Sequence, residues 1–242
     1  RPAYWRQAAN RINMTAVSIL VILLVVVFTL AAACFLVPLR LTGKRMPIGG
    51  NRLLFLFFTA IGLGFMLVEV SQMQRLIVFL GHPTYGLSVV LFTLLLASGL
   101  GSLSTSRISG SGLRRAGAWS LGALLLLTLV FGILTPPAVQ AFAGQGTTAR
   151  ILLAVAMLFP LGFFMGTAFP LGMRLASGRE PALTPWLWGM NGAASVCASV
   201  LAIAVALAAG ISAAFWLGFL CYAAAFLSFL AGSRGGAQRG PA

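Results

Sequence analysis

Long apolar stretches dominate this sequence and decide what it can fold into. Hydrophobic residues make up 60% of its 242 residues and charged residues only 7%, whereas soluble domains carry about 25% charged residues. About 20 consecutive apolar residues can cross the hydrocarbon core of a bilayer as a helix. Backbone groups in lipid must be satisfied within such a helix, and the runs lack the period-two alternation of a membrane barrel. We therefore predict an all-α integral membrane protein.

The order of these stretches predicts about seven transmembrane helices in a bundle. The last two runs lie so close together that they predict a tight antiparallel hairpin. We assign residues 1–13 to a basic interfacial segment, 14–231 to the transmembrane helical domain and 232–242 to a disordered tail. The apolar runs lie at about 14–38, 53–80, 87–104, 118–138, 151–173, 186–208 and 211–231.

The positive charge of the chain predicts the orientation of these helices. The net charge is +14, and the basic residues fall in short loops, which is typical of topology signals and contacts with anionic lipids rather than of nucleic-acid binding. With seven spans, one side holds about twice as many basic residues as the other, and we assign it to the cytoplasm. That side has Arg40, Lys44, Arg45, Arg52, Arg107, Arg114, Arg115, Arg174, Arg179, Arg234 and Arg239; the other has Arg1, Arg6, Arg11, Arg75 and Arg150.

The second run contains a carboxylate at membrane depth, which is costly and marks a functional or packing-critical position. Glu69 is one of two acidic residues, and the other, Glu180, lies in a polar loop. Glu69 adjoins Gln72, and Gln72 adjoins Arg75, on the surface of a helix. Two interpretations stay open. The three side chains form a proton, cation or substrate site that faces a polar cavity, or they form an interhelical hydrogen-bond cluster that locks the bundle.

Three more polar residues are candidate accessory groups. His82 and Tyr85 belong to the sequence HPTYG at residues 82–86, which predicts a turn between the second and third spans. An unperturbed histidine titrates near neutral pH. Asn191, early in the sixth run, is a candidate interhelical hydrogen-bond donor. The alternative interpretation is a satisfied loop histidine and a packing asparagine.

Small residues predict where helices approach each other closely. Gly162 and Gly166 form a GxxxG pattern between Pro160 and Pro170 in the fifth run. Such a pattern lets the backbone of another helix come near. Gly101 belongs to a small-residue face of the third run. The face contains Ala97, Ser98, Gly101, Ser102 and Ser106.

The sequence offers little for catalysis. It has one histidine, two carboxylates and three cysteines, and Cys34, Cys197 and Cys221 lie in apolar runs without metal-ligand spacing. It lacks a phosphate-binding loop, a dinucleotide-binding glycine motif, HExxH and a Ser/His/Asp set. We expect no catalytic residues, metal site or bound cofactor, and we do not expect this chain to be an enzyme on its own.

Three segments together resemble one family. They are AIGLGFMLVEVSQMQRLIVFLGHPTYGLSVVLFTLLLASGLGSL, FPLGFFMGTAFPLGMRLA and PWLWGMNGAASVCASVLA. They are similar to the membrane half of integral-membrane spermidine-synthase-like proteins, which are bacterial and join transmembrane helices to an aminopropyltransferase-like Rossmann domain. The resemblance, over most of residues 52–208, implies an inner-membrane location, helices like a major-facilitator half and a link to such a domain. That domain is absent from these residues, and the resemblance places it before Arg1 or on a partner chain.

We therefore expect a non-catalytic polytopic membrane module that anchors or serves an enzyme domain or a partner. Two alternatives stay open: a small-solute or proton-coupled transporter with Glu69 and Arg75 along a polar path, and a structural subunit of a larger membrane complex. A polyamine path would need several carboxylates, and only Glu69 lies in an apolar run. The expected partners are a bilayer with anionic lipids and a membrane or soluble protein, without nucleic acid.

Overall fold

The computed structural model describes residues 2–42, 51–108, 110–178 and 181–235, and these residues form an all-helical protein. Seven helices are long and apolar enough to cross a membrane. This confirms the prediction of an all-helical chain with seven candidate transmembrane helices. The helices are α1 (Pro2–Thr42), α2 (Arg52–Leu80), α3 (Pro83–Ser104), α4 (Leu113–Ala141), α5 (Thr147–Ser177), α6 (Thr184–Ala209) and α7 (Ile211–Gly235).

The turn between α2 and α3 is shorter than predicted. Gly81 ends α2 with a φ of 75°, and its N–H donates to the carbonyl oxygen of Ile77 at 3.2 Å. Pro83 then begins α3, because its fixed φ and missing N–H suit the first position of a helix. The prediction that residues 82–86 form the turn is therefore wrong beyond His82.

Two helices extend beyond the predicted apolar runs, and one short connection agrees with prediction. Residues 2–13 continue into α1 as one helix, and α7 extends to Gly235, into the segment assigned to the tail. Residues 236–242 and Glu180 lie outside the described residues. Gly210 alone separates α6 from α7, with a φ of 91°, which confirms the tight hairpin.

Helix α2 forms the centre of the bundle. It packs against α3, α5, α6 and α7, and 61% of its most apolar stretch is buried, compared with 28–39% in α3 to α7. A helix that is apolar on all sides is suited to such a central position. Helix α1 is peripheral: it packs against α6, and none of its apolar stretch is buried. The central helix is therefore the one that carries Glu69.

Close contact between α3 and α5 depends on three glycines. A Cβ added at Gly101 would overlap the carbonyl oxygen of Phe163, and one at Gly166 would overlap the carbonyl oxygen of Ser98. A Cβ at Gly162 would lie 3.1 Å from side chains of α3. The close packing predicted for Gly101, Gly162 and Gly166 is therefore present, and α5 continues through both of its prolines.

Two arginines at opposite ends of α5 make structural hydrogen bonds in addition to carrying charge. Arg174 donates from Nη1 to the carbonyl oxygen of Thr105 at 2.6 Å and from Nη2 to that of Ile108 at 2.8 Å. Arg150 donates from Nη1 to the carbonyl oxygen of Phe79 at 3.2 Å. These carbonyls lie at or just beyond the ends of α3 and α2, where backbone oxygens lack helical donors. The two arginines therefore fasten helix ends on opposite sides of the bundle.

Candidate intramembrane site

Glu69 lies inside the helical bundle. Its side chain is 8% exposed, so it faces other helices rather than lipid. Its Oε2 atom is buried and has no hydrogen-bond partner among the described residues. One interpretation of Glu69 was a hydrogen-bonded cluster between helices. The Oε2 atom contributes no hydrogen bond to such a cluster.

Two buried polar groups near Glu69 are also unpartnered. Gln72, one turn along α2, is 1% exposed and its Oε1 has no partner in the described part of the chain; the same holds for the hydroxyl of Tyr222 on α7, which is 2% exposed. Tyr222 packs in one apolar cluster with Val68, the residue before Glu69 on α2. A buried polar atom without a partner costs about 1–3 kcal/mol. Native proteins satisfy nearly all such atoms, so these three oxygens mark this part of the bundle interior as a candidate site.

Arg75 makes its contacts with α7 rather than with Glu69. Its Nη2 donates to Ser212 Oγ at 2.9 Å, and its guanidinium lies 5.2 Å from the centre of the Phe215 ring. Both Arg75 and Glu69 are described, and no ion pair joins them. The predicted site is thus divided: Glu69 and Gln72 lie in the interior, and Arg75 holds the end of α2 against the start of α7.

The three accessory residues do not come together at Glu69: His82 and Tyr85 form a pair, and Asn191 lies elsewhere. His82 and Tyr85 are exposed at the turn between α2 and α3, with ring centres 5.5 Å apart. Asn191 lies near the start of α6, on the opposite side of the membrane from that turn, because successive helices run in opposite directions. The structure therefore does not assemble the six sequence-predicted polar residues into one site.

A cavity of about 460 Å³ lies between α2, α3, α5 and α6. Both α3 and α6 pack against α2, but they barely contact each other, which leaves the cavity open between them. None of the side chains that line it is charged. The lining consists of Ile61, Gly62, Phe65, Met66, Leu95, Ser98, Gly99, Ser102, Met165, Gly166, Ala168, Phe169, Pro170, Asn191, Ser195 and Tyr222.

The polar side of the cavity is built where α6 meets α2. Asn191 Nδ2 donates to the carbonyl oxygen of Phe58 at 3.0 Å, and Ser195 Oγ lies 2.9 Å from the carbonyl oxygen of Asn191 and 3.3 Å from that of Gly62. A Cβ added at Gly62 would lie 2.6 Å from the Asn191 carbonyl oxygen. Glycine at this position is therefore what allows Asn191 and Ser195 to reach α2.

Tyr222 reaches the cavity from α7, which contributes no other residue to the lining. Its ring passes Gly64, where an added Cβ would lie 3.2 Å from the ring atom Cε2. Sequence reasoning missed Tyr222 as a functional candidate. One signal was present, because Tyr222 is the only one of the three tyrosines that lies inside an apolar run.

Helix α5 adds a backbone acceptor to the lining. Pro170 has no N–H, so the carbonyl oxygen of Gly166, four residues earlier, lacks its helical donor. Both residues line the cavity. The cavity thus combines an amide, several hydroxyls and a backbone carbonyl with apolar side chains.

Neither a cluster of metal ligands nor a similarity to known proteins assigns a function to this site. In the described ranges, no three His, Cys, Asp or Glu side chains come together as metal ligands. No protein-family model, no curated protein and no solved structure matches this chain.

Proposed function

We propose that this chain is the membrane module of a spermidine-synthase-like protein in a bacterial inner membrane, with helices like a major-facilitator half. In this proposal the chain anchors or serves an enzyme domain or a partner and performs no reaction itself. The proposal is supported by the parts of the sequence from which the residues that line the cavity come. Every lining residue except Tyr222 comes from the three segments that resemble this family, at residues 60–103, 159–176 and 185–202.

The three segments that carry the resemblance come together around the cavity. The three segments belong to four helices and are separated by long stretches of sequence, yet they enclose one space. Helices α1 and α4 are equally apolar, and neither contributes to the lining. That the three segments line one cavity supports the proposal that they act together as one module.

The chemistry of the lining favours binding over catalysis. Its polar groups are hydroxyls, an amide and backbone carbonyls, and the lining contains no carboxylate, histidine or cysteine. General acid–base chemistry at neutral pH relies on such titratable groups. A module of this kind would position or deliver a molecule for chemistry carried out elsewhere.

Purification of the native protein tests this proposal. The chromosomal gene would be tagged in the source organism, and the protein purified in mild detergent and mapped by peptide mass spectrometry. We expect aminopropyltransferase-like peptides on the same polypeptide or on a partner in equal amount. An unrelated tagged membrane protein is the control. Purified material without such peptides would contradict the proposal.

A second candidate function, proton-coupled or small-solute transport, is favoured by the unpartnered Glu69 oxygen. Unpaired carboxylates within membrane spans are typical of proton and ion pathways. Reconstituted vesicles containing a pH-sensitive dye would report proton flux. We expect this function to be lost in Glu69→Gln and kept in Glu180→Gln, which changes the only other carboxylate. Equal flux in the two variants would contradict it.

A further inference from the structure

The cavity between α3 and α6 selects against charged ligands. Neither an acidic nor a basic side chain lines it, so the lining offers a cation or an anion no direct counter-charge. Burying an unpaired charge costs several kcal/mol. A polyamine or a phosphate group is therefore a poor match for this space, whereas an uncharged molecule with one hydrogen-bonding group is suitable.

The Tyr222 hydroxyl is a buried donor that remains available to such a ligand. It is buried, lines the cavity and has no partner among the described residues. Two other hydroxyls of the lining are already engaged: Ser98 donates to the carbonyl oxygen of Leu95 at 3.2 Å, and Ser195 donates within α6. Ser102 also lines the cavity, but it is exposed at the opening. A carbonyl or hydroxyl oxygen of a ligand would satisfy the tyrosine.

The opening of the cavity faces the bilayer. Leu95, at its edge, is 65% exposed, and Gly99 and Ser102 one and two turns later on α3 are also exposed. These residues lie within a membrane-spanning helix, and α3 and α6 barely contact each other. A volume of about 460 Å³ lies in the range of small-molecule sites, about 300–1,000 Å³. This volume is large enough for the polar end of a lipid whose acyl chains remain outside.

We propose that this cavity binds an uncharged glycerolipid of the bilayer through its hydroxyl or ester carbonyl group, with Tyr222 as the hydrogen-bond donor. The acyl chains leave between α3 and α6. This inference goes beyond the proposed function, since it holds for the chain with or without an enzyme partner. A failure of the purification experiment above would leave it intact.

Photolabelling in nanodiscs tests the site. The probe is diacylglycerol with a photoactivatable, clickable acyl chain, and phosphatidic acid with the same chains is the anionic comparison. Adducts are mapped by mass spectrometry. We expect diacylglycerol to label peptides from Leu95–Ser102 and Asn191–Ser195 several-fold more than phosphatidic acid does.

Two variants and their controls make the result specific. Gly99→Trp fills the cavity without a clash, because nothing lies within 4 Å of an added Cβ; Gly192→Trp is the control, since Gly192 is equally open but does not line the cavity. We expect about tenfold less labelling in Gly99→Trp and none lost in Gly192→Trp. Tyr222→Phe, with Tyr85→Phe as its control, should reduce labelling about fivefold, as loss of one hydrogen bond does.

Two results would overturn the proposal. The first is labelling of the α3 and α6 peptides that is unchanged in both Gly99→Trp and Tyr222→Phe, which would mean that the probe contacts only the outer surface. The second is equal labelling of these peptides by phosphatidic acid, which would mean that the site does not discriminate against charge.

Discussion

Asn191 Nδ2 donates a hydrogen bond to the carbonyl oxygen of Phe58 at 3.0 Å and thereby ties α6 to α2 beside the cavity. The contact depends on Gly62, because a Cβ there would lie 2.9 Å from the Asn191 amide nitrogen. Hydrogen bonds between membrane helices contribute about 0.6 kcal/mol on average and up to about 1.7 kcal/mol. Asn191 is thus both a tie between helices and part of a polar wall.

This relationship predicts the effect of Asn191→Ala. We expect the free energy of unfolding to fall by about 1 kcal/mol, since the bond to Phe58 is lost and α6 is held less firmly. Unfolding by sodium dodecyl sulfate in mixed micelles gives the value. Ser199→Ala is the control, because Ser199 donates to Val196 within its own helix and its loss should change stability by less than about 0.5 kcal/mol. Equal effects in the two variants would argue against the interhelical bond.

Leucine at Gly166 should separate α3 from α5. The new side chain would meet the backbone of Ser98, which cannot move aside as a flexible side chain can. Overpacking costs about 1–3 kcal/mol, and we expect Gly166→Leu to reach the upper end of this range. Thermal stability in detergent measures it. In the matched variant Gly192→Leu, the side chain enters open space, and an equally large loss there would show that close packing is not the cause.

Replacing Glu69 by glutamine should leave the fold intact. Oε2 of Glu69 has no hydrogen bond to lose, and the substitution removes the cost of a carboxylate inside the membrane. We expect Glu69→Gln to be as stable as the parent chain or more stable by up to about 2 kcal/mol. The same unfolding assay in mixed micelles provides the comparison. A loss of more than about 1 kcal/mol would indicate a partner for the carboxylate, as expected of a lost buried hydrogen bond.

Arg75 and Ser212 should be energetically coupled. Their hydrogen bond of 2.9 Å, together with the position of Arg75 over the Phe215 ring, joins the end of α2 to the start of α7. A double-mutant cycle with Arg75→Gln and Ser212→Ala should give a coupling energy of about 0.5–1 kcal/mol. Strictly additive effects would show that the bond does not form in the folded protein.

The sequence was sufficient to predict the helices but not their mutual arrangement. The length of each apolar run determines a span, so α2 begins and ends within one residue of the predicted 53–80. The GxxxG pattern predicted close packing at Gly166 because small residues on an apolar face let the backbone of another helix approach closely. Its partner Ser98 lies on another helix, and the pattern of one helix does not specify which neighbour it meets.

The residues of the cavity also could not be predicted together, because they lie on different helices. Asn191 was identified because an amide in an apolar run needs a partner, but Phe58 contributes a backbone oxygen, which every residue has. Tyr222 reaches the cavity only because Gly64 lets its ring pass, and these two residues lie on helices far apart in the chain. The early end of the turn at His82 was also missed, since proline at residue 83 fits a turn and a helix start equally well.

Accessibility of single cysteines tests most directly the central claim, that the chain crosses a membrane seven times with its basic loops in the cytoplasm. The background carries alanine in place of Cys34, Cys197 and Cys221. Thr84→Cys, in the first turn of α3, and Ser106→Cys, between α3 and α4, lie at opposite ends of α3, and both positions are exposed. In intact cells, a membrane-impermeant maleimide should label Thr84→Cys and should label Ser106→Cys only after lysis. Labelling of both from the same side would contradict the span of α3, and the reverse pattern would contradict the orientation.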